Sequence, residues 1–140
     1  MYLSIEDITK GMRAEVLAVI TRSDDEVVQQ AINEAMAEVT AYLSARYDIA
    51  AEFAKTSNRA TMVAKIVRDI AIYNCHCFSA PVNIPKNRET AYENAIKFLR
   101  DVQAEKASIP DLARLTTAPD GTVSSNYLYF SGNPKRDHHI

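Results

Sequence analysis

SDDEVVQQAINEAMAEVTAYLSARY, residues 23–47, is the stretch that decides the fold class of this 140-residue chain. Ser23 and Glu26 have the spacing of a capping box, and the acids that follow Ser23 lie where the helix dipole stabilises negative charge. Apolar positions then recur at helical spacing. The segment therefore predicts a long amphipathic helix, with Val28, Ile32, Ala35, Val39, Leu43 and Arg46 in register on one side.

Two more long helices are predicted downstream. The first runs from about residue 58 to residue 78, and Pro81 and Pro85 enforce the break after it because proline cannot continue a helix. The second begins at about Pro85 or Lys86, where a proline is tolerated in the first turn, and ends near Glu105. Its apolar stripe consists of Tyr92, Ala95, Ile96, Leu99 and Val102.

Three shorter segments complete the helical part of the chain. Ser4 is placed to cap a short helix that ends near Gly11. Residues 13–22 favour a second short helix, although their apolar block also fits a strand. A connector lies between the first two long helices, and its Ile49 and Phe53 are expected to fold back onto the bundle.

Residues 109–140 differ in character from the rest of the chain. They contain three of the five prolines and two of the three glycines, and they show no sustained period. We therefore divide the chain into a helical domain, residues 1–108, and an extended C-terminal tail, residues 109–140. The expected fold class is all-α: a small bundle of three long helices, preceded by one or two short N-terminal helices, with the extended tail at its end.

Two cysteines flank a histidine at Cys75, His76 and Cys77, which raises the question of a metal site or a nucleophile. At about 100° per residue the two thiols point about 160° apart, so they cannot chelate one ion within an intact helix. A structural zinc site needs about four ligands, and the other histidines are His138 and His139 in the tail. We therefore expect Cys77 to be a small core residue, Cys75 and His76 to lie at or near the surface, and no metal ligand or cofactor-binding residue.

Other signals of catalysis or of nucleic-acid binding are weak. The sequence lacks a glycine-rich phosphate loop and the G-x-S-x-G and H-E-x-x-H motifs, so it predicts no enzyme, no catalytic residue and no small-molecule substrate. The basic residues of the two later helices alternate with acids and would form pairs on the helix surface. We therefore do not expect direct DNA binding.

The distribution of charge and hydropathy indicates which contacts and which cellular location to expect for the protein. Residues 1–45 carry a net charge of −5 and residues 46–106 a net charge of +3. Such a division suits head-to-tail contacts between identical subunits, although charge alone favours ordinary solvated faces as the explanation. No apolar run approaches the roughly 18 residues of a membrane span, and the first residues lack the pattern of a signal peptide. We expect a soluble intracellular protein without a membrane partner.

The order of several motifs resembles one known family. The opening YLSIEDI, the helix end VTAYLSARYDI, the segment VRDIAIYNCHCFSAP and the segment RETAYENAIKFLRDVQAEKASIPDL together resemble the phage Mu-like gene product 36 family over roughly residues 2–112. The sequence departs from that pattern at Asn74, Cys75, Cys77, Phe98 and Glu105. The matching positions are Tyr42, Leu43, Arg46, Tyr47, Asp69, Ile70, Ala71, Tyr73, His76, Pro81, Tyr92, Ala95, Leu99 and Lys106.

The resemblance implies a structural protein of a tailed phage or prophage. Such a protein would be a head-tail connector or adaptor that forms a homo-oligomeric ring at the portal vertex. Its partners would be the portal and the tail-completion proteins, and it would occupy the virion, and the host cytoplasm during assembly. The alternative is a small intracellular helical binding module of phage origin, either nucleic-acid-associated or regulatory.

The tail contains an aromatic cluster that suits assembly. An extended segment can anchor itself on a neighbouring subunit when buried aromatic surface offsets the cost of ordering it. We therefore expect an assembly arm, although the same NYLYF segment could equally fold onto its own helices. The expected arm contacts are Tyr127, Tyr129, Phe130 and Arg136.

Overall fold

The structure is a computed structural model and describes residues 1–79, 82–117 and 123–126. The described residues form six helices and two strands: α1 (Ile5–Thr9), α2 (Ala14–Thr21), α3 (Asp25–Leu43), α4 (Ile49–Phe53), α5 (Thr61–Ser79), α6 (Lys86–Gln103), β1 (Arg114–Thr117) and β2 (Val123–Asn126). The predicted all-α fold with three long helices is confirmed. None of the described helices has the length and hydropathy needed to cross a bilayer.

Helices α3 and α5 form the centre of the bundle, and α6 packs against both of them. The ring of Tyr92 on α6 stacks on that of Tyr73 on α5, with 4.1 Å between the ring centroids. The Tyr92 hydroxyl also donates to Glu38 on α3 over 3.1 Å, so one side chain ties the three long helices together. Most residues of the predicted stripes of α3 and α6 are buried, namely Val28, Ile32, Ala35, Val39, Leu43, Ala95, Ile96, Leu99 and Val102. Tyr92 is half-buried, and Arg46, also half-buried, lies beyond the end of α3 at Leu43.

The cap of α3 differs from the prediction. Ser23 has a φ of 58°, a left-handed conformation that follows the left-handed end of α2 at Arg22. The helix therefore begins one residue later, with Asp24 as N-cap, and the Asp24 carboxylate accepts from the Glu26 N–H over 2.9 Å. The Ser23 capping box was thus wrong because two successive left-handed residues connect α2 to α3. The capping box of α1 is formed, between Ser4 and Asp7.

The connector before α5 contains a short helix that the sequence did not predict. Asp48 caps α4 by accepting from the Ala51 N–H over 3.1 Å. Ile49 is buried, and the Phe53 ring lies 4.9 Å from the ring of Tyr2 at a tilted angle. The expectation that Ile49 and Phe53 pack on the bundle is confirmed, but they do so from a helical turn.

The first residues that the sequence assigned to the tail are attached to the helical body. Ile109 and Leu112 are buried, and the Ile109 N–H donates to the Tyr47 hydroxyl over 3.1 Å. Backbone bonds from Asp48 to Ala113 and from Leu115 to Arg46 continue this attachment. Strand β1 then pairs antiparallel with β2, with Arg114 opposite Asn126. This small hairpin was not predicted.

Helix α5 is buried on more sides than a single stripe. It contacts α1, α2, α3 and α6, and its interior residues are enclosed accordingly. Cys75 and His76 are buried whereas Cys77 is half-buried, so the prediction that placed Cys75 and His76 near the surface was wrong. The helical wheel assumes one protected face, whereas a central helix is protected by every neighbour that surrounds it.

Candidate interaction surface

Helix α2 leaves much of its apolar surface in solvent. It buries Leu17 and Thr21, which lie one turn apart, while Val16 is 44% and Val19 is 79% exposed. At the end of α5, Phe78 is 43% exposed. Isolated exposed apolar residues are common, but contiguous ones mark interaction surfaces.

These side chains line one open cleft of about 820 Å³ between α2 and the end of α5. The Ser79 hydroxyl donates to the Ile20 carbonyl and thereby fixes the end of α5 against α2. Arg22, Asp24 and Asn83 add polar groups at its margin. We call this cleft the apolar cleft and define its apolar lining as Val16, Val19, Ile20, Val27 and Phe78.

A second cleft of about 520 Å³ adjoins the first and has a different character. The turn between α1 and α2, together with the first turn of α6, forms its walls. Val16 and His76 line both clefts, so the two are neighbours. We call it the basic cleft because the ionisable side chains of its described lining are Lys10, Arg13, His76 and Arg88.

Gly11 allows the wall of the basic cleft to approach α5 closely. A Cβ atom at Gly11 would lie 3.0 Å from Ile72 Cδ1 and 3.2 Å from Arg68 Cδ. The Gly11 carbonyl accepts from the Arg88 guanidinium, which joins the α1–α2 turn to α6. The glycine and the arginine therefore set the spacing of the two walls.

His76 is a buried polar side chain with an unused nitrogen. Its Nε2 atom has no hydrogen-bond partner among the described residues. Burial lowers the pKa of His76, and the positive charge of Arg88 lowers it further. The imidazole is therefore held in its neutral form at pH values where a solvent-exposed histidine begins to protonate.

The opposite end of α5 contains a closed polar network. The buried Glu52 carboxylate accepts from the Tyr2 hydroxyl over 2.9 Å, from the Ala60 N–H over 2.5 Å and from the Lys55 ammonium over 2.6 Å. Burial raises the pKa of Glu52, but these three bonds outweigh it and the net pKa is lowered. Burial and the bond to Glu52 raise the pKa of Tyr2.

Asp7 extends this network to α1. Its carboxylate accepts from Arg59 over 2.9 Å and from Lys10 over 2.7 Å. The bond to Arg59 is the main reason that the pKa of Asp7 is lowered. Arg59 also donates to the Tyr2 carbonyl over 2.6 Å. Because the donors and acceptors of this network satisfy one another, we read it as a structural anchor.

The structure separates the two cysteines. Burial raises the pKa of the Cys75 thiol to about 11, so this thiol has little thiolate character. Within the described part of the chain, no three His, Cys, Asp or Glu side chains are grouped so that they could hold a metal ion. The predicted arm contacts Tyr127, Tyr129, Phe130 and Arg136 lie outside the described residues, as do His138 and His139.

The sequence reasoning missed the two clefts although a signal was present. The segment VLAVI, residues 16–20, has more apolar residues in succession than one helix face can bury. The excess was interpreted as an uncertainty between helix and strand. It also indicated that α2 would expose apolar residues on the side away from the core.

One comparison with known proteins gives a match. The family model described as Bacteriophage Mu, Gp36 matches residues 2–125, which include the six described helices and most of the hairpin. No curated protein matches the chain. The matched range is longer than the one that the sequence motifs indicated, since it continues from about residue 112 to residue 125 and so includes β1 and most of β2.

Proposed function

Because the chain belongs to the Bacteriophage Mu, Gp36 family, we propose that this phage protein is a structural component of the virion. In this proposal it is a head-tail connector that assembles as a ring of identical subunits at the portal vertex and joins the capsid to the tail. The observation that carries the proposal is the family match over residues 2–125. Its partners would be the portal and tail-completion proteins, and the host cytoplasm would be the place of assembly.

The apolar cleft supports a role in subunit contact. A side chain such as Val19 gains about 1.5–3 kcal/mol when it passes from water to a fully buried position. A contact between two different surfaces of identical chains would bury this cleft once in every subunit of a ring. The net charges of −5 over residues 1–45 and +3 over residues 46–106 suit such a head-to-tail contact.

The segment after β2 supplies the second contact in this proposal. Tyr127, Tyr129 and Phe130 bring aromatic surface, and Arg136 brings charge. We assign them to an arm that binds a neighbouring subunit, with the competing possibility that they cover helices of their own chain. The proposed activity is assembly, and it requires neither a substrate nor a cofactor.

Native mass spectrometry over a concentration series tests the proposal. We expect closed oligomers from the wild-type chain, and a shift to monomers in Val19→Asn and Phe78→Asn. Met62→Asn is the matched control, since Met62 is 36% exposed in the first turn of α5, far from Phe78. Truncation after residue 126 should abolish assembly while preserving the helical melt.

Two results would contradict the proposal. The first is a chain that stays monomeric at every concentration, both alone and with its portal protein. The second is salt-dependent binding to duplex DNA by a monomer or dimer, which would favour the alternative of a nucleic-acid-associated module. Equal effects of Met62→Asn and Val19→Asn would show that the apolar cleft is not the contact.

A further inference from the structure

We propose that the basic cleft is a carboxylate-binding site that receives an acidic side chain of a partner protein while a neighbouring apolar side chain of the same partner enters the apolar cleft. The inference rests on the proposed function in one respect, because it takes the α2 side of the bundle to be an assembly surface. It adds the chemistry of the partner: an acidic residue flanked by apolar residues.

The first support is the uncompensated charge of the cleft. Arg13 is exposed and makes no ion pair with any residue that the structure describes. Arg88 donates to the neutral Gly11 carbonyl, so its charge is also not neutralised there. Lys10 pairs with Asp7 over 2.7 Å, and no acidic side chain belongs to the described lining of the cleft. A carboxylate that enters would meet two guanidinium groups that have no acidic partner among the described residues.

The second and independent support is the unused nitrogen of His76. The side chain lines the cleft, the residue is only 7% exposed, and Nε2 has no partner among the described residues. An unsatisfied buried polar group of this kind costs about 1–3 kcal/mol. An N–H at Nε2 that donates to an entering carboxylate oxygen would remove that cost.

The third support is the first turn of α6. Its N-cap is Pro85, whose side chain forms no capping bond, and no described residue accepts from the N–H groups of Lys86 and Asn87. Pro85, Asn87 and Arg88 all line the cleft. The amino end of an 18-residue helix carries a partial positive charge that attracts an anion.

The surroundings favour a protein carboxylate over a DNA phosphate. Glu15 is exposed in the first turn of α2, two residues after Arg13 in the sequence, and Asp24 lines the adjoining apolar cleft. These acids would repel a polyanionic backbone but would tolerate a single carboxylate. Val19 and Phe78 also need an apolar partner surface, which a peptide supplies and a sugar-phosphate backbone does not.

Titration of the full-length chain with a capped Leu-Glu-Leu tripeptide, followed by NMR of the backbone and His76 side chain, tests the inference. The capped Leu-Gln-Leu tripeptide and a short DNA duplex serve as competing probes. We expect saturable shifts at His76, Arg13 and Asn87 with the glutamate peptide. Loss of one charge-assisted hydrogen bond in Arg13→Gln should weaken binding about tenfold.

Arg100→Gln is the matched control, since Arg100 is an exposed arginine in the last turn of α6, and binding should not change there. Equal affinity for the two peptides, or an equal loss in both arginine variants, would overturn the inference. Tighter, Arg13-dependent binding of the duplex would overturn the assignment to a protein partner. Peptide binding by a chain that never assembles would contradict the proposed function alone, whereas normal assembly with no peptide binding would contradict the site alone.

Discussion

The two ends of α5 differ in whether their buried polar side chains have hydrogen-bond partners among the described residues. At the Ala60 end, Glu52 is 1% exposed and its carboxylate has three hydrogen-bond donors. At the other end, His76 is also buried, but its Nε2 has no hydrogen-bond partner in the part of the chain that the structure describes, and Val19 and Phe78 are exposed nearby. At the first end, residues of the same chain satisfy the hydrogen bonds of the buried carboxylate. At the second end, the described residues leave a buried polar atom without a partner and apolar side chains exposed to solvent. This contrast is the physical basis for our proposal that the second end is an assembly surface.

The largest expected effect is at the closed end. Glu52→Ala removes an acceptor from Tyr2, Lys55 and the Ala60 N–H, and leaves the buried Tyr2 hydroxyl and the Ala60 N–H without that acceptor. Breaking a buried charged network in this way costs about 3 kcal/mol. Urea unfolding measures the loss, with Glu93→Ala on the exposed face of α6 as the control. Similar stabilities of the two variants would contradict our interpretation of the network as an anchor.

The next effect is at the turn between α1 and α2. Gly11→Ala places a Cβ atom 3.0 Å from Ile72 Cδ1 and 3.2 Å from the Arg68 side chain. We expect a loss of about 1–2 kcal/mol from overpacking, measured by thermal unfolding. Because the Gly11 carbonyl accepts from Arg88, the signals of Arg88 should shift as the walls of the basic cleft move apart. An unchanged Tm would show that the turn yields without strain.

A smaller expected effect is the pH dependence of the free energy of unfolding, which distinguishes the two ends of α5. The pKa of His76 is lowered below its ordinary 6.5, so protonation favours the unfolded chain. The contribution of the neutral imidazole to the free energy of unfolding is complete above pH 6.5. It is lost as the pH falls from there through the pKa of the folded state. The described charged residues of the two clefts that His76 lines are Lys10, Arg13, Arg22, Asp24 and Arg88.

Asp7 and Glu52 also have lowered pKa values, so their contribution is complete above about 4.5 and is lost only at lower pH. Free energies of unfolding measured from pH 7 down to about pH 5 therefore separate the contribution of His76 from those of Asp7 and Glu52. The decline over this range should disappear in His76→Gln and persist in Asp7→Asn. A decline that both variants share would assign the effect to other groups.

The smallest effect on the isolated chain is expected at the open end. Val19 is 79% exposed, so Val19→Asn should change the free energy of unfolding of the monomer by no more than about 0.5 kcal/mol. The same variant should nevertheless disrupt assembly. A loss of several kcal/mol in the monomer would show that Val19 supports the fold, and would remove the contrast between the two ends.

Local features of the fold were predictable because their causes lie close together in the chain. The stripes of α3 and α6 follow a helical period, and the Ser4 cap depends on contacts within four residues. The predicted cap at Ser23 was wrong because Arg22 and Ser23 have left-handed backbone angles, which depend on how α2 meets α3. These angles make Asp24 the N-cap of α3. The hairpin was not predicted, because the backbone pairing of Arg114 with Asn126 does not require alternating apolar residues within either strand.

The candidate site was less predictable because it combines residues from distant parts of the chain. Arg13, His76 and Arg88 belong to three segments, and no spacing in the sequence connects them. His76 was considered as part of a Cys-His-Cys pattern, which directed attention to metal binding. Its position in the bundle shows instead a buried imidazole beside the first turn of α6.

The sequence by itself determined the helical class, the three long helices and the resemblance to a phage family, because periodicity, capping and motif order are recorded along the chain. Only the tertiary structure decided which sides of α5 are buried, that residues 109–115 join the helical body, and that an apolar and a basic cleft adjoin at His76. The physical reason is that burial and charge compensation depend on every element packed around a residue, and a one-dimensional pattern does not contain the number or direction of those neighbours.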